Sequence, residues 1–179
     1  MIKYLIILSA VVVLAVIIVI VILNCKYKFK FLNIKIDEAT SNINLFLQKK
    51  KGYLDGIVKE LVNKKKDEGI FDEFLETINR EKDSFKLHSK LSKTYSEVSK
   101  ILFDNDKLAK DEGIVKYLGD LKDNDEDLIG CIKFYNDTIV DYNGLIKTFP
   151  YSIIAKISKY QAKEFYNNEK EEMFEILKK

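Results

Sequence analysis

The chain has 179 residues, 47% hydrophobic and 32% charged, and its 30 basic and 28 acidic side chains leave a formal charge of +2. That length suits one domain, and that composition suits a folded chain rather than a disordered one. Two cysteines and one histidine argue against a disulfide-stapled scaffold and against zinc or di-iron centres, and the near balance of charge argues against a nucleic-acid-binding protein.

From Tyr4 to Leu23 no residue is charged, and most are Ile, Val or Leu. Such a run, at about 1.5 Å per residue, spans roughly 30 Å as a helix, the thickness of a bilayer's hydrocarbon core. Ser9 can bond back to a helix carbonyl. A helix of a soluble bundle would show a polar face, and this one shows none. A cleavable signal is the rival reading, but its apolar run is usually about 7–15 residues and ends at small residues. This run is longer and closes on Ile22-Leu23-Asn24-Cys25, with Asn24 where a lipoprotein signal wants a small residue. Residues 1–25 are therefore assigned as a transmembrane anchor. Only Lys3 precedes the run, whereas Lys26, Lys28, Lys30 and Lys35 follow it. The positive-inside rule then puts the N-terminus outside and the remainder in the cytoplasm. Lys26, Lys28 and Lys30 are the basic residues that the anchor holds at the membrane surface.

Beyond the anchor the apolar periodicity is helical. Leu32, Ile36, Ala39, Ile43 and Phe46 form one stripe on a helix that continues from the span. Gly52 and Gly56 predict a kink or break, after which Ile57, Leu61 and Val62 resume the stripe. Gly69 marks another interruption before Phe71, Phe74, Leu75 and Ile78. A further stripe runs Phe85, His88, Leu91, Tyr95, Val98 and Leu102, ending in Asp104-Asn105-Asp106, which reads as a turn with a helix cap. A shorter helix with Leu108, Val115, Leu118 and Leu121 leads to Lys122-Asp123-Asn124-Asp125-Glu126, read as a polar joint. The cleanest stripe follows: Leu128, Ile132, Tyr135, Ile139, Tyr142, Ile146 and Phe149, closed by Pro150. A short segment from Ile153 to Ile157 and a charged, amphipathic tail helix over 161–179 complete the chain. Lys66-Asp67-Glu68-Gly69-Ile70 recurs as Lys110-Asp111-Glu112-Gly113-Ile114, but the flanks do not match. No alternation with Gly-rich hairpin turns predicts a strand. The expected fold is all-α, an N-terminal membrane helix followed by an antiparallel helical bundle over 26–160.

Two blocks of this chain resemble the LemA proteins of bacteria. The first is Ile36-Asp37-Glu38-Ala39 with Ile43, Leu47, Gln48, Lys49, Lys50, Ile57-Val58 and Glu68. The second is Tyr135-Asn136-Asp137, Val140, Asp141-Tyr142-Asn143, Ile146 and Phe149-Pro150, whose paired Tyr-Asn dipeptides seven residues apart are the more specific mark. The chain departs from the family pattern at Tyr53-Leu54-Asp55-Gly56-Ile57-Val58, where a proline usually stands, and at Ile132 and Lys133, where arginines are common. The resemblance implies a single-pass membrane protein with an up-and-down four-helix bundle, no established enzymatic activity, and a link to membrane proteases or other envelope components.

The residue inventory agrees with a non-enzyme. His88 is the only histidine and lies on an apolar stripe, so a nucleophile triad or metal centre lacks its partners, and no Gly-x-Ser-x-Gly or phosphate loop is present. No catalytic, cofactor-binding or metal residue is assigned. Lys49-Lys50-Lys51 and Lys64-Lys65-Lys66 read as solvated faces, and Cys131 as a small apolar residue. Tyr135, Asn136, Tyr142 and Asn143 are the candidate interaction residues, with two readings. A tyrosine can pack its ring in the core and an asparagine beside it can set register between helices, or the four can form a recognition surface. The expected function is a membrane-anchored scaffold or adaptor that presents a surface to a protein partner. The alternative is a sensor or small-ligand-binding bundle with a polar pocket near the Tyr-Asn pairs.

Overall fold

The computed structural model describes residues 2–65, 81 and 83–166. All regular structure among them is helical: α1 (Ile2–Lys65), α2 (Ser84–Phe103), α3 (Asp106–Ala109), α4 (Glu112–Lys147) and α5 (Tyr151–Ser158). The stripe expected at Phe71 to Ile78 lies outside the described residues.

The apolar run does form a helix, and it does not end at the bundle. α1 continues from the span to Lys65 in one piece. Its first turns are exposed, and fully buried positions begin at Cys25 and recur at Phe29, Leu32, Ile36, Ala39, Ile43 and Leu47. The break expected at Gly52 and Gly56 does not occur. A helix-interior glycine costs only about 1 kcal/mol, and here Leu54, Ile57, Val58 and Leu61, all buried, hold the helix on either side of Gly56. Gly56 serves a close approach instead. A Cβ there would meet the Tyr117 ring at 2.6 Å.

The chain divides into two compact units, Met1–Glu38 with Tyr135–Phe165, and Ala39–Phe134 with Tyr166–Lys179. In the first, Phe29, Leu32 and Ile36 of α1 pack with Ile139 and Tyr142 of α4 and Ala155 of α5. Phe29 is the hub, with Tyr142 edge-on at 5.6 Å, Tyr151 at 6.2 Å and Tyr160 at 4.7 Å between ring centroids. Burying a phenylalanine contributes about 1.5–3 kcal/mol, and each favourable ring pair adds roughly 0.5–1.5 kcal/mol. The short segment expected at Ile153 to Ile157 is α5, with Ile154 and Ala155 buried. It ends in a Schellman closure: Tyr160 N–H donates to Ala155 O at 2.9 Å, Lys159 N–H donates to Lys156 O, and Lys159 takes the left-handed conformation at φ 56°. That closure corrects the expected tail helix at its start, because residues 160–166 leave the helical path. The rest of that tail, 167–179, lies outside the described residues.

In the second unit α1 and α4 run antiparallel, since Phe46 and Lys50 meet Asn124 and Asp125, Gly56 meets Tyr117, and Lys64 meets Asp111 just before α4. α2 runs parallel to α1, with Ser84 bonded to Asn44 and Lys50 beside Tyr95. Asp83 caps α2 by accepting from Phe85 N–H and Lys86 N–H at 2.9 and 3.0 Å. The turn expected at Asp104-Asn105-Asp106 is present, and Asn105 caps α3. The apolar stripe of α2 is Leu87, Leu91, Thr94, Val98 and Leu102. It shares three residues with the expected one, but Phe85 and Tyr95 lie at its exposed edges. Thr94 can be buried because its hydroxyl donates to Lys90 O at 3.1 Å.

The expected polar joint at Lys122 to Glu126 is not a joint, because α4 passes through it unbroken. Asn124 is buried and donates its amide to Phe46 O at 3.1 Å, and Asp125 pairs with Lys50 at 2.9 Å. Polar residues that suggest a solvated turn are here bound to α1.

Candidate functional site

The Tyr-Asn pairs of α4 converge, in the first unit, on the chain that follows α5. Tyr135, Tyr142 and Asn143 share one side of the helix because seven residues make almost two full turns. Asn143 makes two hydrogen bonds with a single residue of that following segment: its Nδ2 donates to Lys163 O at 2.8 Å, and its Oδ1 accepts from Lys163 N–H at 2.9 Å. Tyr135 donates its hydroxyl to Glu164 O at 3.2 Å. Tyr142 is buried against Phe29, and the Lys163 ammonium stands 5.4 Å from its ring centroid. Asn136 is half-buried one position round the helix. A helical side chain thereby supplies the donor and acceptor that an irregular segment needs in order to be half-buried.

Burial pushes the Tyr135 and Tyr142 hydroxyls above the ordinary tyrosine value, so neither ionises near neutral pH. The Cys131 thiol is raised for the same reason, with Asp127 adding to it, so it stays protonated and weakly nucleophilic. Among the described residues no three His, Cys, Asp or Glu side chains gather as a metal site would require. The polar groups that a small ligand would use near the Tyr-Asn pairs are engaged by the protein's own backbone at Lys163 and Glu164.

Lys26, Lys28 and Lys30 are exposed on the first turns after the span. Beside them Lys28 and Lys35 stand over the Phe31 ring, at 5.9 and 4.8 Å. His88 is half-buried, 6.0 Å from the Tyr166 ring. Tyr166 itself, 3% exposed, stacks on Phe85 at 4.4 Å and donates to Ser84 O at 3.2 Å in the second unit.

Two features escape a reading of the sequence. Lys50, inside a lysine triplet taken as solvated, is 5% exposed. The signal was present: Ile43, Leu47, Lys50, Leu54, Ile57 and Leu61 keep the three-four spacing, so Lys50 falls at a core position of the stripe. The partners of Tyr135 and Asn143 had no such signal, because Lys163 and Glu164 bond through their backbones, which carry no residue-type signature.

A family model described as the LemA family matches residues 39–176. The chain belongs to the LemA family. No curated protein matches the chain. The LemA match begins past the apolar run and takes in the whole block from Tyr135 to Asn143. Together, LemA membership and an N-terminal helix long and apolar enough to cross a membrane make this a membrane-associated helical protein. The LemA family is not known as an enzyme family.

Proposed function

We propose that this LemA protein is a non-enzymatic, membrane-anchored scaffold or adaptor whose helical domain presents a surface to a protein partner in the cell envelope. The observation that carries this reading is the unbroken helix from Ile2 to Lys65, which joins the apolar run to the packed part of the protein without a linker. A continuous helix fixes the distance of attached residues from the bilayer at about 1.5 Å per residue, which suits presentation better than free diffusion of a tethered domain. The engaged state of Tyr135 and Asn143 supports a structural role for the Tyr-Asn pairs, with Asn143 setting the register of the segment through Lys163. The same bonds weigh against a ligand pocket at this place. The four lysines that follow the span, against one before it, support an N-terminus outside and a helical domain in the cytoplasm.

Crosslinking in intact cells with the full chain, followed by purification in detergent, tests the adaptor reading. A partner recovered with the native protein and lost with variants of exposed surface residues is expected. Repeated recovery of the chain alone, across crosslinkers of different length and chemistry, would count against it. Protease treatment of intact and permeabilised cells with a C-terminal tag tests orientation, and digestion in intact cells would reverse the assignment.

A further inference from the structure

α5 is held against Phe29 through Tyr151 and Tyr160, and its outward face is unusual. Phe149 stands in the turn before α5, and Ile153 and Ile157, four residues apart on the helix, lie along one side of it. The three are 76%, 50% and 73% exposed, while Ile154 and Ala155 on the other side are buried. Large apolar side chains in such a row on a soluble surface call for a covering partner.

The position of this row relative to the apolar span names that partner. The uncharged run ends at Leu23, and Phe29 follows it by six residues, or about 9 Å of helix. Burial along α1 begins closer still, at Cys25. Tyr151 and Tyr160 lie against Phe29, with ring centroids at 6.2 and 4.7 Å, so α5 is held at the level of that residue. The polar layer on each side of a bilayer core is about 5–8 Å thick, and interfacial helices enter to about 5–10 Å. An α-helix is about 10 Å wide, so a helix packed on Phe29 reaches that layer.

Charge points the same way. Between Asn24 and Ile36 the charged residues are Lys26, Lys28, Lys30 and Lys35, and between Tyr142 and Tyr160 they are Lys147, Lys156 and Lys159; neither stretch contains Asp or Glu. The whole chain is nearly balanced, at 30 basic to 28 acidic residues, so this segregation is local. Lysines flanking an apolar row make the combination that interfacial helices use on anionic lipid.

We infer that α5 is an interfacial helix: its Ile153 and Ile157 face, with Phe149 in the turn before it, docks on the headgroup layer of the same bilayer that the N-terminal helix spans, with Lys147, Lys156 and Lys159 against anionic lipid. The chain then meets the membrane twice, once across it and once along its surface.

The chain has no tryptophan, so Ile153→Trp or Ile157→Trp gives a single reporter. The full-length variants are reconstituted in nanodiscs of zwitterionic lipid, alone or mixed with anionic lipid, and the span keeps every variant in the disc. Lipids brominated near the headgroup end are expected to quench both reporters in anionic discs, with aqueous acrylamide having little effect. Phe103→Trp, at an 89% exposed position of the second unit, provides the water-exposed reference. Replacing Lys147, Lys156 and Lys159 with Gln in the Ile157→Trp protein is expected to reduce the quenching while leaving helix content by circular dichroism unchanged. Reporters that acrylamide quenches as strongly as the reference, and that brominated lipid leaves untouched in both kinds of disc, would overturn the inference and leave the face to a protein.

Discussion

Asn143 and Lys163 exchange two hydrogen bonds, at 2.8 and 2.9 Å, so that one asparagine amide completes the backbone of a half-buried, non-helical residue. Asn143→Ala leaves a donor and an acceptor of Lys163 without partners. An unsatisfied, partly buried polar group costs about 1–3 kcal/mol. Local opening at residues 160–165 is therefore expected to rise roughly tenfold for each 1.4 kcal/mol lost, read as faster amide hydrogen exchange at Lys163. Asn143→Asp keeps an acceptor for Lys163 N–H but sets a carboxylate oxygen against Lys163 O, so it is expected to lose protection as well. Unchanged exchange in both variants would mean that the Asn143 bonds do not hold the segment and that contacts such as Tyr135 with Glu164 O suffice.

Much of the fold is legible in the sequence because it rests on apolar spacing. The span, the stripe through Leu32, Ile36, Ala39 and Ile43, and the Asp104-Asn105-Asp106 turn each follow from local rules. The two false breaks in the helices share one cause, since Gly56 and Asn124 look like helix breakers until their tertiary partners, Tyr117 and Phe46 O, are known. Local propensity is worth about 1 kcal/mol, and packing of a long amphipathic helix outweighs it. The candidate site was legible as a pattern, the paired Tyr-Asn dipeptides, but not as an arrangement. Its partners are backbone atoms of Lys163 and Glu164, some 20 to 29 residues away.

The Lys50–Asp125 pair of the second unit gives a sharper energetic test. The Lys50 side chain is 6% exposed and that of Asp125 28%, with 2.9 Å between the charged atoms. Removing one partner of a buried pair costs about 3–5 kcal/mol, and the partial exposure of Asp125 places the expected cost of Lys50→Met near the lower end of that range. Lys50→Met with Asp125→Asn removes both charges and is expected to recover a large part of the loss. Chemical denaturation of the full chain in detergent, arranged as a double-mutant cycle, measures the coupling. Additive losses would show that the two charges do not stabilise each other.

At Gly56 the sign of a substitution should depend on one aromatic ring. Alanine is better than glycine in a helix by about 1 kcal/mol, yet its Cβ would stand 2.6 Å from Tyr117 Cζ, inside any allowed contact. The ring is half-buried and must move aside, and overpacking of this kind costs about 1–3 kcal/mol. Gly56→Ala is thus expected to destabilise the protein modestly. In a Tyr117→Ala background the obstruction is gone and the same change is expected to stabilise by about 1 kcal/mol. Thermal unfolding of the four proteins decides the matter, and the same sign in both backgrounds would rule out the ring as the cause.

Asp111 and Lys64 predict the pH profile of the second unit. The Lys64 ammonium, then the Ile114 N–H at the start of α4, holds the Asp111 carboxyl below its ordinary value of 3.8, and Asp111 holds Lys64 above its ordinary 10.5. Glu81 is lowered from 4.5 by Lys90 and by Asp83 N–H. A carboxyl with a depressed folded value stabilises the fold above its unfolded value and ceases to do so as pH falls through the folded one. The raised lysine works in the opposite sense: its contribution is complete below 10.5 and fades as pH rises through the folded value. Stability is therefore expected to decline below about pH 4 and again above about pH 10.5. Asp111→Asn preserves an oxygen that can accept from Ile114 N–H and so retains the cap. It removes the charge, so it is expected to flatten part of both limbs, whereas Glu81→Gln flattens the acid limb. Because Asp111 and Lys64 sit near solvent, added salt is expected to shrink the Asp111→Asn effect. Denaturation midpoints across pH at low and high salt check this, and acid and alkaline limbs identical to those of the native chain in Asp111→Asn would show that the ion pair contributes nothing to the stability of the fold.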